Sequence, residues 1–343
     1  MTNPVLVEVT RGSIVESRHR GAISIVDSEG RSLLSVGDIE RGVFPRSAVK
    51  LIQALPLVES GAADALGFGP RELALACASH NGEEIHVGLA GEMLARVGRS
   101  AADLECSTHA PTDSASARTL IRLGERPNTL HNNCSGKHAG FVCLSCHLGH
   151  DPKGYVTPDH PVQREVTAAL EALTGMTLGP DIRATDGCSI PTFAIPLSRL
   201  ADAFSRAATG RRLPAGRAAA AQRLMKACMA EPYLVAGTKR FCTDAMSALP
   251  GRLFVKTGAE GVYSGAIPDL GIGIALKCDD GATRGAETMM AAVIAAFFPE
   301  IADGPFAPWL APPVDTRSGV KVGEIRPVTD FIESIHKVAA SFR

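Results

Sequence analysis

The sequence has almost no imbalance between positive and negative charge. Its 343 residues include 35 Lys and Arg against 36 Asp and Glu, a formal net charge of −1, and they contain neither a basic block nor an acidic tail. Proteins that bind nucleic acids or anionic membranes normally carry a basic patch or stripe. We therefore expect neither a nucleic-acid partner nor a membrane partner.

Long apolar runs and a secretory leader are also lacking. The longest apolar run, Met289–Phe298, is too short to span a bilayer, and residues 1–8 lack the charged and apolar regions of a signal peptide. The nine cysteines are odd in number and have no framework spacing, which in a chain of this length indicates thiols. We expect a soluble, cytoplasmic protein.

No repeat of fixed period and no low-complexity segment occurs, and the chain is long enough for one large domain or two. Strand-like runs lie at both ends, and helical periodicity dominates between them. Strands are predicted at 5–9, 24–27, 32–36, 252–256, 261–266 and 271–277. Helices are predicted at 46–58, 71–78, 83–97, 114–123, 138–148, 161–174, 196–208, 215–230 and 287–298, and the tail from Pro299 is expected to be irregular.

This distribution favours an α+β fold over an alternating parallel sheet. We expect one antiparallel sheet built from both ends of the chain, with a mostly helical lobe inserted between them. The predicted division is a single catalytic unit of two lobes. Residues 1–45 and 240–343 contain the sheet, and residues 46–239 form the helical lobe.

A Ser-x-x-Lys element, Ser47 to Lys50, stands at the predicted start of an apolar helix. Pro45 suits a helix entry, because proline has a fixed φ and no N–H to leave unpaired. Residues three apart lie one turn from each other on one helix face, so the spacing places the Ser47 hydroxyl beside the Lys50 amine. A buried lysine can be the base that activates such a hydroxyl. The alternative is a chance occurrence in an ordinary core helix.

Two further elements follow in order, Ser79-His80-Asn81 at a predicted helix junction and Lys256-Thr257-Gly258 at a predicted strand end. Taken singly, they are compatible with an ordinary connector and with a strand closed by a glycine turn. Taken together with Ser47 and Lys50, they form the three-part signature of penicillin-recognising serine enzymes. Their order and their predicted structural context therefore favour catalysis by an activated serine.

Two polar, glycine-bearing loops add a candidate metal site. Cys134 and Cys188 offer two thiolates for a zinc ion, with Lys137 or His138 near enough to complete the shell. A rival metal or redox site is Cys143-x-x-Cys146. It lies within an apolar helical run, where small cysteines pack as ordinary hydrophobic residues, and this structural interpretation is favoured.

On these residues the chain resembles the Rhizobium etli-type L-asparaginases, and the likeness extends from about Val5 to Phe298. The motifs that carry it are Phe44-Pro45-Arg46-Ser47-x-x-Lys50, Ser79-His80-Asn81-Gly82, His131-Asn132-Asn133-Cys134-Ser135-Gly136-Lys137-His138, Thr185-Asp186-Gly187-Cys188 and Lys256-Thr257-Gly258. The resemblance implies a fold related to serine β-lactamases and glutaminases. It also implies a homodimer, and hydrolysis of L-asparagine to L-aspartate and ammonia.

The resemblance also assigns roles to individual residues. It implies two Ser–Lys pairs, Ser47 with Lys50 and Ser79 with Lys256, and a zinc ion on Cys134, Lys137 and Cys188. The implied substrate-binding residues are Arg46, Asn81, Gly82, His138 and Asp186, with Asp186 as the partner of the substrate ammonium.

The chemistry we expect is attack by Ser47 on the side-chain amide carbon, with neutral Lys50 as the base and the backbone N–H groups of Ser47 and Gly82 as oxyanion donors. Ser79 with Lys256 is the alternative primary pair. Zinc is expected beside the substrate without activating the attacking water. Other functions left open are a glutaminase, a β-lactamase or penicillin-binding peptidase, and a zinc- or amino-acid-binding protein without activity.

Overall fold

Both ends of the chain contribute strands to one sheet in the computed structural model, which describes residues 2–342. The strands of the described chain are β1 (Val5–Arg11), β2 (Ile14–Val26), β3 (Ser32–Val36), β4 (Gly42–Val43), β5 (Arg183–Thr185), β6 (Pro191–Phe193), β7 (Ile195–Pro196), β8 (Phe254–Gly258), β9 (Val262–Ile267), β10 (Ile272–Cys278), β11 (Pro313–Asp315) and β12 (Lys321–Pro327).

The helices of the same residues are α1 (Lys50–Gln53), α2 (Leu55–Glu59), α3 (Ala62–Ala65), α4 (Pro70–Ala76), α5 (Glu84–Ala95), α6 (Ser114–Leu123), α7 (Ser135–His147), α8 (Pro161–Thr174), α9 (Leu197–Thr209), α10 (Ala215–Ala230), α11 (Pro232–Ala236), α12 (Phe241–Ala248), α13 (Thr283–Phe297) and α14 (Thr329–Ala340). Short 3₁₀ turns occur at Arg46–Val49, Ala101–Asp103, Thr129–His131, Pro180–Ile182, Pro268–Leu270, Pro299–Asp303 and Ala307–Trp309.

The main sheet has the strand order β11-β12-β1-β2-β10-β9-β8, with β3 also paired to β2. Strand β2 joins the two halves. Its first half pairs antiparallel with β1, and its second half pairs antiparallel with β10, from Gly21 opposite Cys278 to Val26 opposite Gly273. Burial largely alternates along the first half and becomes continuous in the second half. Such a change indicates one covered face at first and two covered faces later.

The close packing against β10 depends on a glycine. A Cβ built at Gly273 would clash with the backbone of α9, at Ala201 O and, 2.5 Å away, at Ser205 N. The start of α9 therefore lies directly on this strand, and α13 packs against β10, β1 and β12. The predicted α+β class, with an antiparallel sheet built from both ends of the chain, is confirmed.

The chain divides into two compact units. The first contains Met1–Ala48, Ile195–Ser205 and Val255–Arg343 and holds the main sheet, and the second contains Val49–Ala194 and Arg206–Phe254 and is mostly helical. The predicted division placed residues 240–253 in the sheet-containing lobe. In the structure α12 lies in these residues and belongs to the helical unit.

Two predicted elements differ from the structure. The single helix expected at 46–58 is a 3₁₀ turn followed by α1 and α2, because Pro56 cannot donate a backbone hydrogen bond and its ring would clash with the carbonyl one turn earlier. The irregular tail expected from Pro299 instead contains β12, which pairs with β1, and α14, whose buried Phe331, Ile335 and Ala339 recur every four residues. That spacing is an amphipathic helix signal.

Helix α7 is the centre of the helical unit, and its residues 135–145 are all buried. Small residues permit this burial. A Cβ at Gly136 would lie 2.5 Å from Leu75 Cγ and would also clash with the Leu75 backbone. Among the residues that the structure describes, no helix is long and apolar enough to cross a bilayer.

Candidate active site

Lys50 is the first residue of α1, and its side chain is completely buried in the helical unit. Its ammonium Nζ donates to the backbone oxygen of Ala78 and to Cys134 Sγ at 3.1 Å, with Asn133 O at 3.5 Å. Burial lowers the pKa of Lys50, and the positive charge of Lys137 lowers it further, although the Cys134 thiolate opposes both. Burial therefore makes the neutral amine of Lys50 more favourable than it is in water, although the oxygen and sulfur acceptors favour the ammonium.

The Cys134 and Cys188 thiols meet inside the same unit and share a hydrogen bond, and Lys137 Nζ lies 3.0 Å from Cys188 Sγ. The backbone around Cys134 is fixed, because its N–H donates to Asn132 Oδ1 at 2.8 Å. Two sulfurs and one amine nitrogen that converge in a buried place are a donor set that suits tetrahedral zinc and leave its fourth position open. The residues predicted to hold zinc thus fit the ion.

The two thiols do not carry equal charge. The hydrogen bond from Cys188 lowers the pKa of Cys134 well below that of a free thiol, and the same bond together with burial raises the pKa of Cys188. Burial lowers the pKa of Lys137, but the charges of Cys188, Cys134 and Asp186 outweigh it and the net pKa is raised. The cluster therefore holds one thiolate against the lysine ammonium when no cation is bound.

His138 is completely buried, and its Nδ1 is 2.7 Å from the Tyr155 hydroxyl. Burial lowers the pKa of His138 well below its usual range, and the charge of Lys137 lowers it further, so the ring is neutral. Its Nε2 has no hydrogen-bond partner among residues 2–342. A buried nitrogen without a partner is available to a bound polar ligand, since leaving it unpaired is costly.

The Ser79-His80-Asn81-Gly82 segment is a rigid connector between α4 and α5. Ser79 N–H donates to Val235 O, and His80 uses both ring nitrogens, with Nε2 on Ser135 Oγ at 2.9 Å and Nδ1 on the Gly82 N–H at 3.1 Å. The Gly82 N–H, which we predicted as an oxyanion donor, donates to His80 Nδ1 in this structure, and its part in catalysis stays a prediction.

Asn81 lies in a network of side chains from distant parts of the helical unit. Arg240 Nη1 donates to Asn81 Oδ1 at 2.8 Å, and Asn81 Nδ2 donates to Thr238 O at 2.9 Å and to Glu83 Oε1 at 3.3 Å. Glu83 in turn accepts from the Thr238 N–H and from the hydroxyls of Thr238 and Tyr233. These contacts fix both ends of the Asn81 amide.

Asp186 and Cys188 share a tight loop held by the hairpin of β5 and β6. The loop closes through Asp186 N–H on Ile190 O at 2.8 Å, and Ser189 has a φ of 75°. Asp186 lies near enough to Lys137 and Cys188 to influence the pKa of both. The structure therefore brings Asp186 together with the predicted zinc ligands.

Arg46, Ser47 and Lys256 belong to the sheet-containing unit. Arg46 has a φ of 53°, and Ser47 lies in the 3₁₀ turn that leads into α1. A Cβ at Gly258, the last residue of β8, would clash with Pro45 O and lie 3.1 Å from Ala48 N, so this strand end packs directly on the Ser47 turn. The pairings Ser47–Lys50 and Ser79–Lys256 stay predictions.

The Cys143-x-x-Cys146 pair lies within α7, in agreement with the predicted helical run. Cys143 is buried, and its Sγ is 3.3 Å from Met93 O. Burial raises the pKa of Cys143 to about 12, which suits an inert thiol. Within the described chain none of the nine cysteines forms a disulfide.

A sequence model of the L-asparaginase II family matches residues 7–327. The chain belongs to the L-asparaginase II family. It is therefore an amidohydrolase that acts on asparagine, and this favours an enzyme over the binding-protein alternative. The narrower Rhizobium etli-type assignment stays a prediction.

Two further comparisons add little to the family assignment. A search of curated proteins finds no match. A solved structure described as "Crystal Structure Analysis of Mglu" is similar at 17% sequence identity and a TM-score of 0.35, over 83% of this chain and 69% of the other. A likeness this weak supports no conclusion, so the expected relation to serine β-lactamases and glutaminases rests on the sequence motifs.

Four residues of this family member's candidate site went unrecognised in the sequence: Glu83, Tyr155, Tyr233 and Arg240. Tyr233 and Arg240 are about 150 residues from their partners along the chain. One signal was available for Glu83, which precedes α5 as an acidic residue in a polar junction. Glu83 organises the loop around Asn81 through its hydrogen bonds with Thr238 and Asn81.

Proposed function

We propose that this member of the L-asparaginase II family hydrolyses L-asparagine through a serine nucleophile that a buried lysine activates. Ser47 is the proposed nucleophile and Lys50 its base, with Ser79 and Lys256 as the second pair. The observation that carries the proposal is the environment of Lys50, which is fully buried and hydrogen-bonded to the oxygen of Ala78, the neighbour of Ser79. Along the chain it also follows Ser47 by three residues.

The proposed base must be neutral to accept a proton. Burial lowers the pKa of Lys50, and this supports the role, because desolvation disfavours an ammonium more than an amine. Lys50 then takes the proton of the Ser47 hydroxyl as the oxygen attacks the amide carbon, and it gives this proton to the amide nitrogen, which leaves as ammonia when the C–N bond breaks. Water hydrolyses the resulting acyl-enzyme in a second step, which releases aspartate.

Five residues are proposed to bind the substrate: Arg46, Asn81, Gly82, His138 and Asp186. Asp186 is half-buried, and its carboxylate suits the α-ammonium of asparagine. His138 is neutral and has an unpartnered Nε2, which suits a hydrogen bond to a polar group of the substrate. Asn81 is held by Arg240 and Thr238, so the loop on which Asn81 and Gly82 lie is already oriented.

Cys134, Lys137 and Cys188 are the proposed zinc ligands. A bound zinc ion supplies a Lewis-acid charge that fixes the two loops, and no proton transfer or bond-making step is assigned to it. Through zinc, Cys134 and Cys188 hold their two loops in fixed positions. The Lys137 ammonium must lose its proton before its nitrogen can bind the ion. The homodimer that the resemblance implies stays a prediction.

The test is release of ammonia from asparagine by purified protein, compared among wild type, Ser47→Ala, Lys50→Met and the double variant. Residues that act as one unit lose activity non-additively, so all three variants should fall by at least about a thousandfold to similar residual rates. Lys153→Met is the control, because it also removes a lysine charge but at an exposed site. A Ser47→Ala enzyme with near-normal turnover would exclude Ser47 as the nucleophile.

Two further arms of this assay address specificity and metal. Glutamine differs from asparagine by one methylene, which a pocket discriminates by about 1–3 kcal/mol, so a preference for glutamine would make the protein a glutaminase. After chelation, KM should rise more than kcat falls, as expected for lost binding. Complete loss of kcat in folded protein would instead show that zinc takes part in the chemistry.

A further inference from the structure

A second group of metal-ligand side chains lies in the sheet-containing unit. It consists of His19 on β2, Cys278 at the end of β10, and Asp280 in the turn that leads to α13, and we refer to it as the corner cluster. One ligand atom from each residue lies within 4.8 Å of the others. Within residues 2–342 this is the one such group of three histidine, cysteine or acidic side chains.

The contacts in the corner cluster all meet at the Asp280 carboxylate. His19 Nδ1 is 2.7 Å from Asp280 Oδ2, and Cys278 Sγ is 3.0 Å from Asp280 Oδ1. The His19 and Cys278 side chains are buried, whereas the Asp280 side chain is 49% exposed. Solvent can therefore reach the cluster from the aspartate side, which gives a cation a way in.

The donor atoms match one metal in particular. A thiolate, an imidazole and a carboxylate are together typical of zinc, and the two anionic ligands balance its charge of two. Around tetrahedral zinc, with bonds of about 2.3 Å to sulfur and about 2.0 Å to nitrogen and oxygen, the sulfur–oxygen edge is about 3.5 Å and the nitrogen–oxygen edge about 3.3 Å. The present separations, 3.0 Å from Cys278 Sγ to Asp280 Oδ1 and 2.7 Å from His19 Nδ1 to Asp280 Oδ2, are shorter than these edges by less than an ångström. Small side-chain movements would therefore be enough to admit the ion.

Glycines keep the space around the cluster clear. A Cβ at Gly285 in α13 would lie 2.8 Å from His19 Cγ and 2.9 Å from Cys278 Sγ. A Cβ at Gly261, where φ is +66°, would lie 2.9 Å from Cys278 Cβ. Side chains at these two positions would press the donors out of place. Three separate chain segments thus meet at the ligands without intervening side chains.

We propose that His19, Cys278 and Asp280 form a zinc site that ties β2, β10 and the start of α13 together. Binding through His19 Nδ1 and Cys278 Sγ releases the thiol proton to solvent, and the imidazole proton moves from Nδ1 to Nε2. Arg284 Nε, 3.1 Å from His19 Nε2, must then withdraw, and its exposed side chain is free to do so. The fourth zinc position faces solvent and takes a water molecule.

The test uses the full-length protein, stripped of metal by a chelator and then titrated with Zn²⁺ and with Co²⁺. Cys188→Ala removes a ligand of the zinc site proposed above, so this variant isolates the corner cluster. We expect Cys188→Ala to bind one zinc per chain and to show a thiolate-to-cobalt charge-transfer band. Addition of Cys278→Ser should abolish both signals, whereas Cys146→Ser, a control at a half-buried thiol, should leave them unchanged.

Two outcomes would overturn the proposal: no zinc bound by Cys188→Ala, or equal binding with and without Cys278→Ser. If Cys278→Ser does not fold, Asp280→Asn replaces it, because that side chain is half-exposed and nearly isosteric. We expect at least a tenfold weaker affinity for zinc in Asp280→Asn and an unchanged or tighter affinity in Arg284→Gln. Equal zinc affinity in Asp280→Asn and wild type would show that Asp280 is not a zinc ligand and that the corner cluster is held by hydrogen bonds alone. None of these measurements depends on asparagine hydrolysis.

Discussion

Replacement of Glu83 by glutamine tests whether one buried carboxylate organises the loop around Asn81. Glu83 accepts from the Thr238 N–H at 2.8 Å, the Thr238 hydroxyl at 2.9 Å, the Tyr233 hydroxyl, and Asn81 Nδ2 at 3.3 Å. Burial raises the pKa of Glu83, but the hydrogen bonds from Tyr233 and Thr238 outweigh it, and the net pKa is lowered. The carboxylate is therefore ionised at neutral pH.

The magnitude follows from those four contacts. A hydrogen bond to a charged acceptor contributes about 1.5–3 kcal/mol and a neutral one about 0.5–1.5, so loss of the charge costs about 1 kcal/mol per bond. Tyr233 is partly exposed, and its hydroxyl can turn to water. We therefore discount the two hydroxyl contacts and expect Glu83→Gln to lower the free energy of unfolding by about 2 kcal/mol. Because Asn81 loosens, KM should rise more than kcat falls.

Urea unfolding at pH 7 and near pH 4 provides the assay. A carboxylate whose pKa is lowered by folding stabilises the protein above its unfolded pKa and loses that effect as pH falls through the folded value. The stability difference between wild type and Glu83→Gln should therefore shrink in acid. Glu84→Gln is the matched control, since Glu84 is the exposed neighbour and should cost less than about 0.5 kcal/mol. Equal losses at both positions would refute the reasoning.

Two other predictions concern the helical unit. Burial keeps the pKa values of His80 and His138 well below 6.5, so these two histidines take up protons on unfolding when the pH is below 6.5. Each histidine should therefore lower the free energy of unfolding by up to about 1.4 kcal/mol for each pH unit below that value. A flat urea midpoint between pH 6.5 and 5.5 would contradict this. Gly136→Ala should destabilise by about 2 kcal/mol through its clash with Leu75, whereas Gly88→Ala, which meets nothing within 4 Å in α5, should be neutral or stabilising in the same thermal unfolding assay. Equal effects of the two substitutions would argue against tight packing at α7.

Helices with local end signals could be predicted from the sequence. Helices α6 and α8 have the predicted bounds because each starts at a side-chain cap, Asp113 or His160, and ends at a glycine with positive φ, Gly124 or Gly175. The tail from Pro299 was predicted to be irregular because it is rich in proline and glycine. This prediction was wrong, because the tail contains β12, which is stabilised by pairing with β1. Pairing between strands from opposite ends of the chain gives no local sequence pattern from which it could be predicted.

The candidate site shows the same contrast between local and distant information. The clustering of Cys134, Lys137, Cys188 and Asp186 in one buried place could be expected from the motifs, since each motif lies in a glycine-bearing loop. The contact of the Gly82 N–H with His80 was not predicted, because it depends on how the His80 side chain turns back on its own loop. Tyr233 and Arg240 contribute through contacts with residues about 150 to 160 positions away, and Tyr155 contacts His138 from outside the helix that carries it. No spacing rule reveals these contacts.

The way in which β2 is paired has a consequence for the order of events during synthesis. Its second half, up to Val26, pairs with β10, whose residues are made roughly 250 positions later. At about 5–20 residues per second, the ribosome needs about 10–50 s to supply them, and in that time the nascent β2 edge has no β10 partner. Most of the helical unit, residues 49–194, is complete earlier. Strand β2 therefore completes its pairing late, and until then its open edge is where nascent chains would pair with one another.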